Sequence, residues 1–541
     1  MIDKQELQQY AEKFEEVKGT ELYLTTFKNI RGQFFDICEA IKEQAYNEAY
    51  QEFKNDPKNK EALSKGMMTA KDIEEYADGK KANALPKEAL SVAILIKKYI
   101  RFIRIKPANV NQQAPLYFYN PDKGYYMQDN ELIKDLMNII KAGIVENVAK
   151  NILYIIGRKS PLKELNPEYT ALGNCVFSYK TNKFYNFSPD IPVTRKIETN
   201  YNPEATEPEI NGWKPTKWLK ELFDNDIEMY DLVIQMFKAC ITNEPLERIF
   251  WLYGAGGTGK GTLQQFIINL VGLDNVASLK ITELARSRFT TSILLGKSIV
   301  IGDDIQQNAM IKDTSELFSL TTGDIMTIEE KGLKPYSLRL QMTVIQSSNG
   351  LPIMDGDKDA ISRRLMIIPF TSKYKNKPNK AIKKNYINRR DVLEYILKLA
   401  IETPTKEIYP KSSKELVHDY LLEINPVLAF IEDFFTDSLN SEFIPNSFVW
   451  HVWKNYLEYN NLRSFKTEMA LHREIKTNLP DYIKTGQRII PKGREHHTNF
   501  YPKDDLPHYA MKDYGNGRAE TINQRKTKNE RGYWNANYKN N

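Results

Sequence analysis

The sequence predicts an α/β core built on a phosphate-binding loop, preceded by a helical region and a mixed α+β region and followed by a small helix–helix–hairpin domain. Three observations predict it. An apolar run ends in a glycine-rich loop with a lysine (IFWLYGAGGTGKGT, 249–262), and two later apolar strands, 297–304 and 342–349, end in Asp-Asp and in Asn. Beyond 447 two helical patterns precede a segment of glycines, arginines and aromatics, an order that suits a winged helix.

A chain of 541 residues exceeds one core and suggests about three or four domains. At 41% apolar and 27% charged residues it reads as globular, not disordered. The net charge of +6 is mild but uneven, with seven Lys/Arg against three Asp/Glu from Met511 onward, which makes a polyanionic partner plausible. The apolar stretch at 89–96 is too short for a membrane span, and Met-Ile-Asp-Lys does not begin a signal peptide, so a cytoplasmic protein without a membrane partner is expected. Cys38, Cys175 and Cys240 are far apart, which indicates neither a disulfide framework nor a zinc site.

In chain order, residues 1–115 read as helical and densely charged, with a soft Asn/Lys/Gly-rich loop at 54–84 and no visible chemistry. Residues 116–245 mix short strands (116–119, 175–179) with helix at 130–155, as a supporting domain. The core is expected over 246–372, a helical linker over 373–425, the winged helix over 426–510 and a basic disordered tail over 511–541.

The chemistry begins at the loop. Gly254, Gly256, Gly257 and Gly259, with Thr258 among them, allow backbone N–H groups to turn inward, and Lys260 can reach β- and γ-phosphate oxygens. The helix expected from Lys260 would place its N-terminus against the phosphates. The residue after the lysine is Gly261, with Thr262 one place later, whereas the common pattern puts the Mg²⁺-binding hydroxyl directly after the lysine. Asp303 and Asp304 are candidates for the Mg²⁺ ligand and the residue that orients the attacking water, with an ordinary acidic turn as the alternative. Asn349 ends the third strand as a candidate γ-phosphate sensor, and Arg363-Arg364 precedes the strand at 365–370, where an arginine could serve a neighbouring subunit's ATP.

Loop lysine, double acid, terminal Asn and RR-x-x-x-I-P-F together resemble the compact superfamily-3 AAA+ helicases, above all the phage and plasmid primase-helicase type found in replication initiators of mobile elements. The resemblance covers about 116–505 and leaves 1–115 aside. It implies an AAA+ ATPase core, ATP and Mg²⁺ as cofactors, a homo-oligomeric ring, most simply a hexamer, and translocation on single-stranded DNA after recognition of a double-stranded origin. It also implies a DNA-gripping β-hairpin within 322–336, whose family positions are matched by Lys331 and Lys334, with Tyr336 beside them. Gly332, Glu329 and Glu330 depart from the family's aromatic and basic residues. On the C-terminal domain Arg463, Lys466, Arg473 and Lys476 would lie on or near the second helix, and Lys484, Arg488, Lys492 and Arg494 in the hairpin, with a solvated mixed-charge face as the alternative. His496-His497 has no further ligand pair at useful spacing. Residues 1–245 show neither a paired-acid polymerase strand nor a zinc cluster, so a separate primase or polymerase would supply primers. Two rivals stand beside the helicase: an ATP-set switch on an origin that does not unwind, and a nucleotide or small-molecule kinase.

Overall fold

Asn29, Asp56 and Thr69 start the first three described helices, and each does so through its side chain. The computed structural model describes residues 22–107, 114–242, 244–284, 288–306, 309–329, 335–370, 379–435, 443–464, 466–490 and 528–536. The chain divides into two units, 1–356 with 364–411, and 357–363 with 412–541.

In the first unit, α1 (Ile30–Asn55) begins where the Asn29 side chain accepts from the Gly32 N–H, and it buries Ile30, Phe34 and Cys38 along one face. Asp56 caps α2 (Pro57–Ser64), and a Thr69/Asp72 capping box opens α3 (Ala70–Ala82). The expected loop at 54–84 is therefore two helices. Only Ile73 and Ala77 are buried there, so periodicity is faint and the caps carry the signal. After α4 (Ala89–Tyr99), strand β1 (Phe102–Ile105) pairs antiparallel with β2 (Leu116–Asn120), which pairs with β3 (Tyr125–Met127). Helices α5 (Asn130–Ile140) and α6 (Glu146–Arg158) follow, and β4 (Leu162–Lys163) closes the sheet in the order β3-β2-β1-β4. One apolar core runs from Phe27 to Ile156. The expected boundary at 115 falls between two paired strands, with Phe102 opposite Phe118, and separates nothing.

The remainder of this unit has a second core. Strands β5 (Tyr169–Ala171), β6 (Val176–Ser178) and β7 (Lys183–Tyr185) form a small antiparallel sheet, followed by α7 (Pro215–Leu222) and the deeply buried α8 (Ile227–Thr242). Then come β8 (Ile249–Tyr253), α9 (Lys260–Val271), β9 (Val276–Ser278), α10 (Ile281–Leu284), β10 (Ile299–Ile305), β11 (Met310–Ile311) and α11 (Ser315–Thr322). A hairpin of β12 (Ile325–Ile328) and β13 (Tyr336–Arg339) leads to β14 (Thr343–Ser348), β15 (Ile353–Met354) and, after α12 (Lys358–Arg364), nearly all of which falls in the second unit, to β16 (Leu365–Pro369). The main sheet is wholly parallel in the order β16-β8-β14-β10-β9. Its strands read as apolar runs because helices cover both faces; every residue of β14 is buried.

The short α13 (Lys380–Lys384), a 3-10 turn (Tyr386–Asn388) and α14 (Arg390–Glu402) return to this core, where Ile387, Val392, Ile396 and Leu397 share one cluster with Leu172, Phe177, Phe237 and Phe266. The expected core of 246–372 is thus too narrow on both sides, and much of the expected linker belongs to it.

The second unit contains most of α15 (Lys411–Ile424), then α16 (Pro426–Phe434), β17 (Ile444–Pro445), α17 (Asn446–Tyr459), α18 (Glu468–Thr477), β18 (Ile483–Ile490) and β19 (Lys528–Asn535). The antiparallel sheet has the order β17-β19-β18. The middle strand comes from the stretch expected to be a disordered tail. Tyr533 is 3% exposed within the Phe430, Phe435 and Trp453 core, and a Cβ at Gly532 would meet the Ile444 carbonyl, so a glycine is needed where the strands meet. Among the described residues no helix is long and apolar enough to cross a membrane.

Candidate functional site

The C-terminal ends of three adjacent parallel strands, β8, β14 and β10, bring the phosphate loop, Asn349 and the two aspartates together. Because β14 lies between the other two, its terminal Asn349 sits between loop and acids, which is where open α/β sheets bind ligands.

Gly254, Gly257 and Gly259 have φ of 149°, 82° and 110°, conformations that L side chains rarely adopt. A Cβ at Gly259 would lie 2.8 Å from Leu222 Cδ2. Gly256 is open, with nothing within 4 Å of its Cβ position. Thr258 is buried and its hydroxyl donates to the Ala255 carbonyl at 2.8 Å, so it stiffens the loop and its hydroxyl hydrogen is already engaged there. The Lys260 ammonium donates to the carbonyl of Gly254, to that of Ala255 at 3.0 Å and to Asn349 Oδ1 at 3.1 Å. Burial pushes it below the usual lysine range, and the Asp303 and Asp304 carboxylates oppose that shift. Lysine, amide and both acids therefore form one electrostatic group.

Strand β10 does not stop before the acids but runs through them to Ile305, with an irregular register between Gly302 and Ile305. Asp303 Oδ1 accepts from the Ser347 hydroxyl and from the Asp304 N–H at 2.9 Å. That leaves Oδ2 without a hydrogen bond among the described residues. Asp304 has φ of 53°, and Lys280 Nζ donates to its carbonyl at 3.1 Å, which holds the left-handed turn. No group of three or more His, Cys, Asp or Glu that could hold a metal occurs among the described residues. Two exposed carboxylates beside a phosphate loop fit Mg²⁺, which takes one or two carboxylates, phosphate oxygens and waters. Thr262 is half-buried in the first turn of α9.

The sequence reading missed Ser347 and Lys280. The polar run Ser347-Ser348-Asn349 at the end of an apolar strand was a signal for the first; Lys280 had none. Ser348 accepts from the Trp251 indole N–H at 2.7 Å and Gln346 accepts from the Ile281 N–H at 3.0 Å, so each polar residue of β14 fixes a neighbour.

The two arginines differ. Arg364 is half-buried with its guanidinium 4.9 Å from the Phe318 ring centre, whereas Arg363 is exposed and donates to the Asp359 carbonyl of its own helix at 3.3 Å. The expected hairpin exists, with Ile328 opposite Tyr336, but Lys331 and Lys334 lie outside the described residues. Tyr336 is 6% exposed and packs with Ile328 and Leu338, so its ring braces the hairpin and is not presented to DNA. On α18, Arg473 and Lys476 are exposed and three residues apart, while Lys466 is tied to Glu474. Lys484 donates to the Asp481 carbonyl at 2.7 Å. Arg488 lies on β18 opposite Glu530; Lys492, Arg494, His496 and His497 fall outside the described residues.

Three family models match parts of the chain. Residues 28–219 match one described as D5 N terminal like, 422–516 one described as poxvirus D5 protein-like, and 252–364 a family of unknown function. The first match crosses position 115, as the N-terminal core does, and extends the likeness into the region the sequence reading had left aside. A protein of Acanthamoeba polyphaga mimivirus named "Putative helicase" is 25% identical over 254 residues, 45% of this chain and 26% of that protein. The chain thus spans about a quarter of that relative's length. Two apo structures of the NrS-1 C-terminal region align with 75% of this chain and 97% of theirs, at 16% and 14% identity and TM-scores of 0.42 and 0.41. At both ends, the chain is similar to viral proteins of the D5 primase-helicase type.

Proposed function

We propose that the chain is an ATP-dependent DNA helicase and replication initiator of the superfamily-3 AAA+ type. The observation that carries this reading is the direct Lys260–Asn349 hydrogen bond beside Asp303 and Asp304, formed across three parallel strands. On ATP binding, Lys260 exchanges its loop carbonyls for β- and γ-phosphate oxygens, and Asn349 is released to meet the γ-phosphate or the attacking water. Mg²⁺, when bound, would neutralise charge between the β- and γ-phosphates, with Asp303 Oδ2 and the Thr262 hydroxyl as its protein contacts. Ser347 and the Asp304 N–H hold Asp303 in place for that task. Asp304, presented by its left-handed backbone, orients the water for in-line attack. Arg363, exposed at the end of its helix, is the better candidate to reach a neighbour's ATP, because Arg364 is engaged on Phe318. That role implies a ring, most simply a hexamer.

Lys331 and Lys334 at the hairpin tip would follow one DNA strand as ATP turns over. The second unit, whose order from α16 onward is helix, strand, helix, helix, strand, strand, is read as a winged helix in which Arg473 and Lys476 on α18 face duplex origin DNA and Arg488, Lys492 and Arg494 belong to the wing. Primers would come from a separate primase or polymerase.

The test is strand displacement on a forked duplex with ATP and Mg²⁺. Wild type should unwind, Lys260→Ala should lose ATP hydrolysis, and the Lys331→Ala/Lys334→Ala variant should keep hydrolysis and lose unwinding. DNA binding with slow ATP turnover and no unwinding would instead favour an ATP-set switch on an origin. ATP-dependent phosphorylation of a small molecule by a monomer would favour a kinase.

A further inference from the structure

Lys383, on the short helix α13 beyond the main sheet, brings its ammonium to the first turn of the phosphate-loop helix. Its Nζ lies 3.7 Å from the position a Cβ on Gly261 would take. The backbone that carries it is fixed at several points. Asn379 caps α13 through the Ala381 N–H at 3.0 Å, and Asn269 on α9 donates to the Ile387 carbonyl at 3.2 Å and to the Asn388 side chain. Tyr386 is buried, accepts from Asn211 at 3.2 Å and packs on the Trp213 ring at 5.3 Å. This segment therefore runs along α9 from its first turn to Asn269.

Lys383 is exposed, and its ammonium stands at the positive end of α9. The N-terminus of a helix carries partial positive charge and favours anions, and Lys260 already adds a full positive charge in the same turn. Lys383 has neither an ion pair nor a hydrogen bond among the described residues, whereas Asp303 and Asp304 act on Lys260. A second ammonium beside this helix N-terminus gives a bound polyphosphate a further cation to meet.

Resting on the nucleotide reading above, we propose that Lys383 is a second phosphate-binding cation, which holds the β-phosphate of the nucleoside polyphosphate from outside the expected core. The residue after the loop lysine is where the Mg²⁺-binding hydroxyl is common, beside the β-phosphate, so a cation next to residue 261 meets a phosphate that ADP and ATP share. Gly261, where a hydroxyl residue is common, leaves the lysine in contact with the helix backbone. An interaction made equally with substrate, transition state and product sets affinity and not the rate of the chemical step.

The experiment measures MgADP and MgATP binding by calorimetry, with steady-state ATP hydrolysis, for the intact chain and for Lys383→Ala, Lys383→Arg and Lys384→Ala. Lys383→Ala should weaken both nucleotides alike, by about 5- to 10-fold, and raise KM with kcat little changed. Lys383→Arg should recover most of the affinity, and Lys384→Ala, the neighbour on the same helix, should bind like wild type. Unchanged binding by Lys383→Ala, or an equal loss in Lys384→Ala, overturns the proposal while leaving the nucleotide reading standing. If wild type binds neither nucleotide, the nucleotide reading itself fails and this one with it.

Discussion

Gly254 and Gly256 look interchangeable in the sequence, and the structure separates them. Gly254 has φ of 149°, a region that a residue with a Cβ enters at a cost of about 1–3 kcal/mol. A Cβ there would lie 3.1 Å from Phe370 Cβ and 3.2 Å from its carbonyl carbon, with the carbonyl oxygen closer still. That oxygen cannot step aside easily, because the Phe370 N–H donates to the Tyr253 carbonyl at 2.7 Å and β16 pairs with β8 along its length. Overpacking of this kind adds about 1–3 kcal/mol, which brings Gly254→Ala to about 4 kcal/mol in all. At roughly 2 °C per kcal/mol for a large domain, the first unit should melt about 8 °C lower. Gly256 has no atom within 4 Å of its Cβ position, and Gly256→Ala should stay within about 0.5 kcal/mol of wild type. Scanning calorimetry of both variants, with nucleotide binding alongside, is the assay. If Gly254→Ala melts and binds like wild type, or if Gly256→Ala falls as far, the reasoning from loop geometry is wrong.

Trp251→Phe removes the donor to Ser348 and leaves a buried hydroxyl unpaired, so the urea midpoint of the first unit should fall by the equivalent of about 1–3 kcal/mol; an unchanged midpoint would mean that water replaces the indole. The Lys260 ammonium is held below the usual lysine range in the free protein, and bound phosphates would raise it. Nucleotide affinity should therefore be steady at neutral pH and decline as pH rises through the lowered value, with proton uptake on binding at alkaline pH. Calorimetry in buffers of different ionisation heat reads that uptake, and its absence would remove Lys260 as the group responsible. Truncation after residue 527 takes away the central strand of the β17-β19-β18 sheet together with Tyr533, so limited proteolysis should cut the second unit readily while ATP hydrolysis persists. A protease-resistant second unit would show that β19 is dispensable.

What the sequence by itself determined is what short stretches encode. The phosphate loop is legible because positive φ demands glycine at 254, 257 and 259, and strands β8, β10, β14 and β16 because burial on both faces demands apolar runs. Helices α17 and α18 follow from similar local patterns, whereas the hairpin follows from the family resemblance. Only the tertiary structure decided which of these pieces meet. Strand order places Asn349 between Lys260 and Asp303, and it turns Ser347 and Lys280, unremarkable in the sequence, into supports for the acids. The pairing of Phe102 with Phe118 joins two expected domains, and residues 528–535 become the middle of a sheet although their composition reads as tail. Lys383 reaches the loop helix from more than a hundred residues away in the chain, and Tyr336 turns inward to brace its hairpin. The physical reason is the same in each case. A glycine or an apolar period answers to its own backbone and its own face, whereas a contact across strands depends on register and on what fills the space opposite, which no local window of the chain contains.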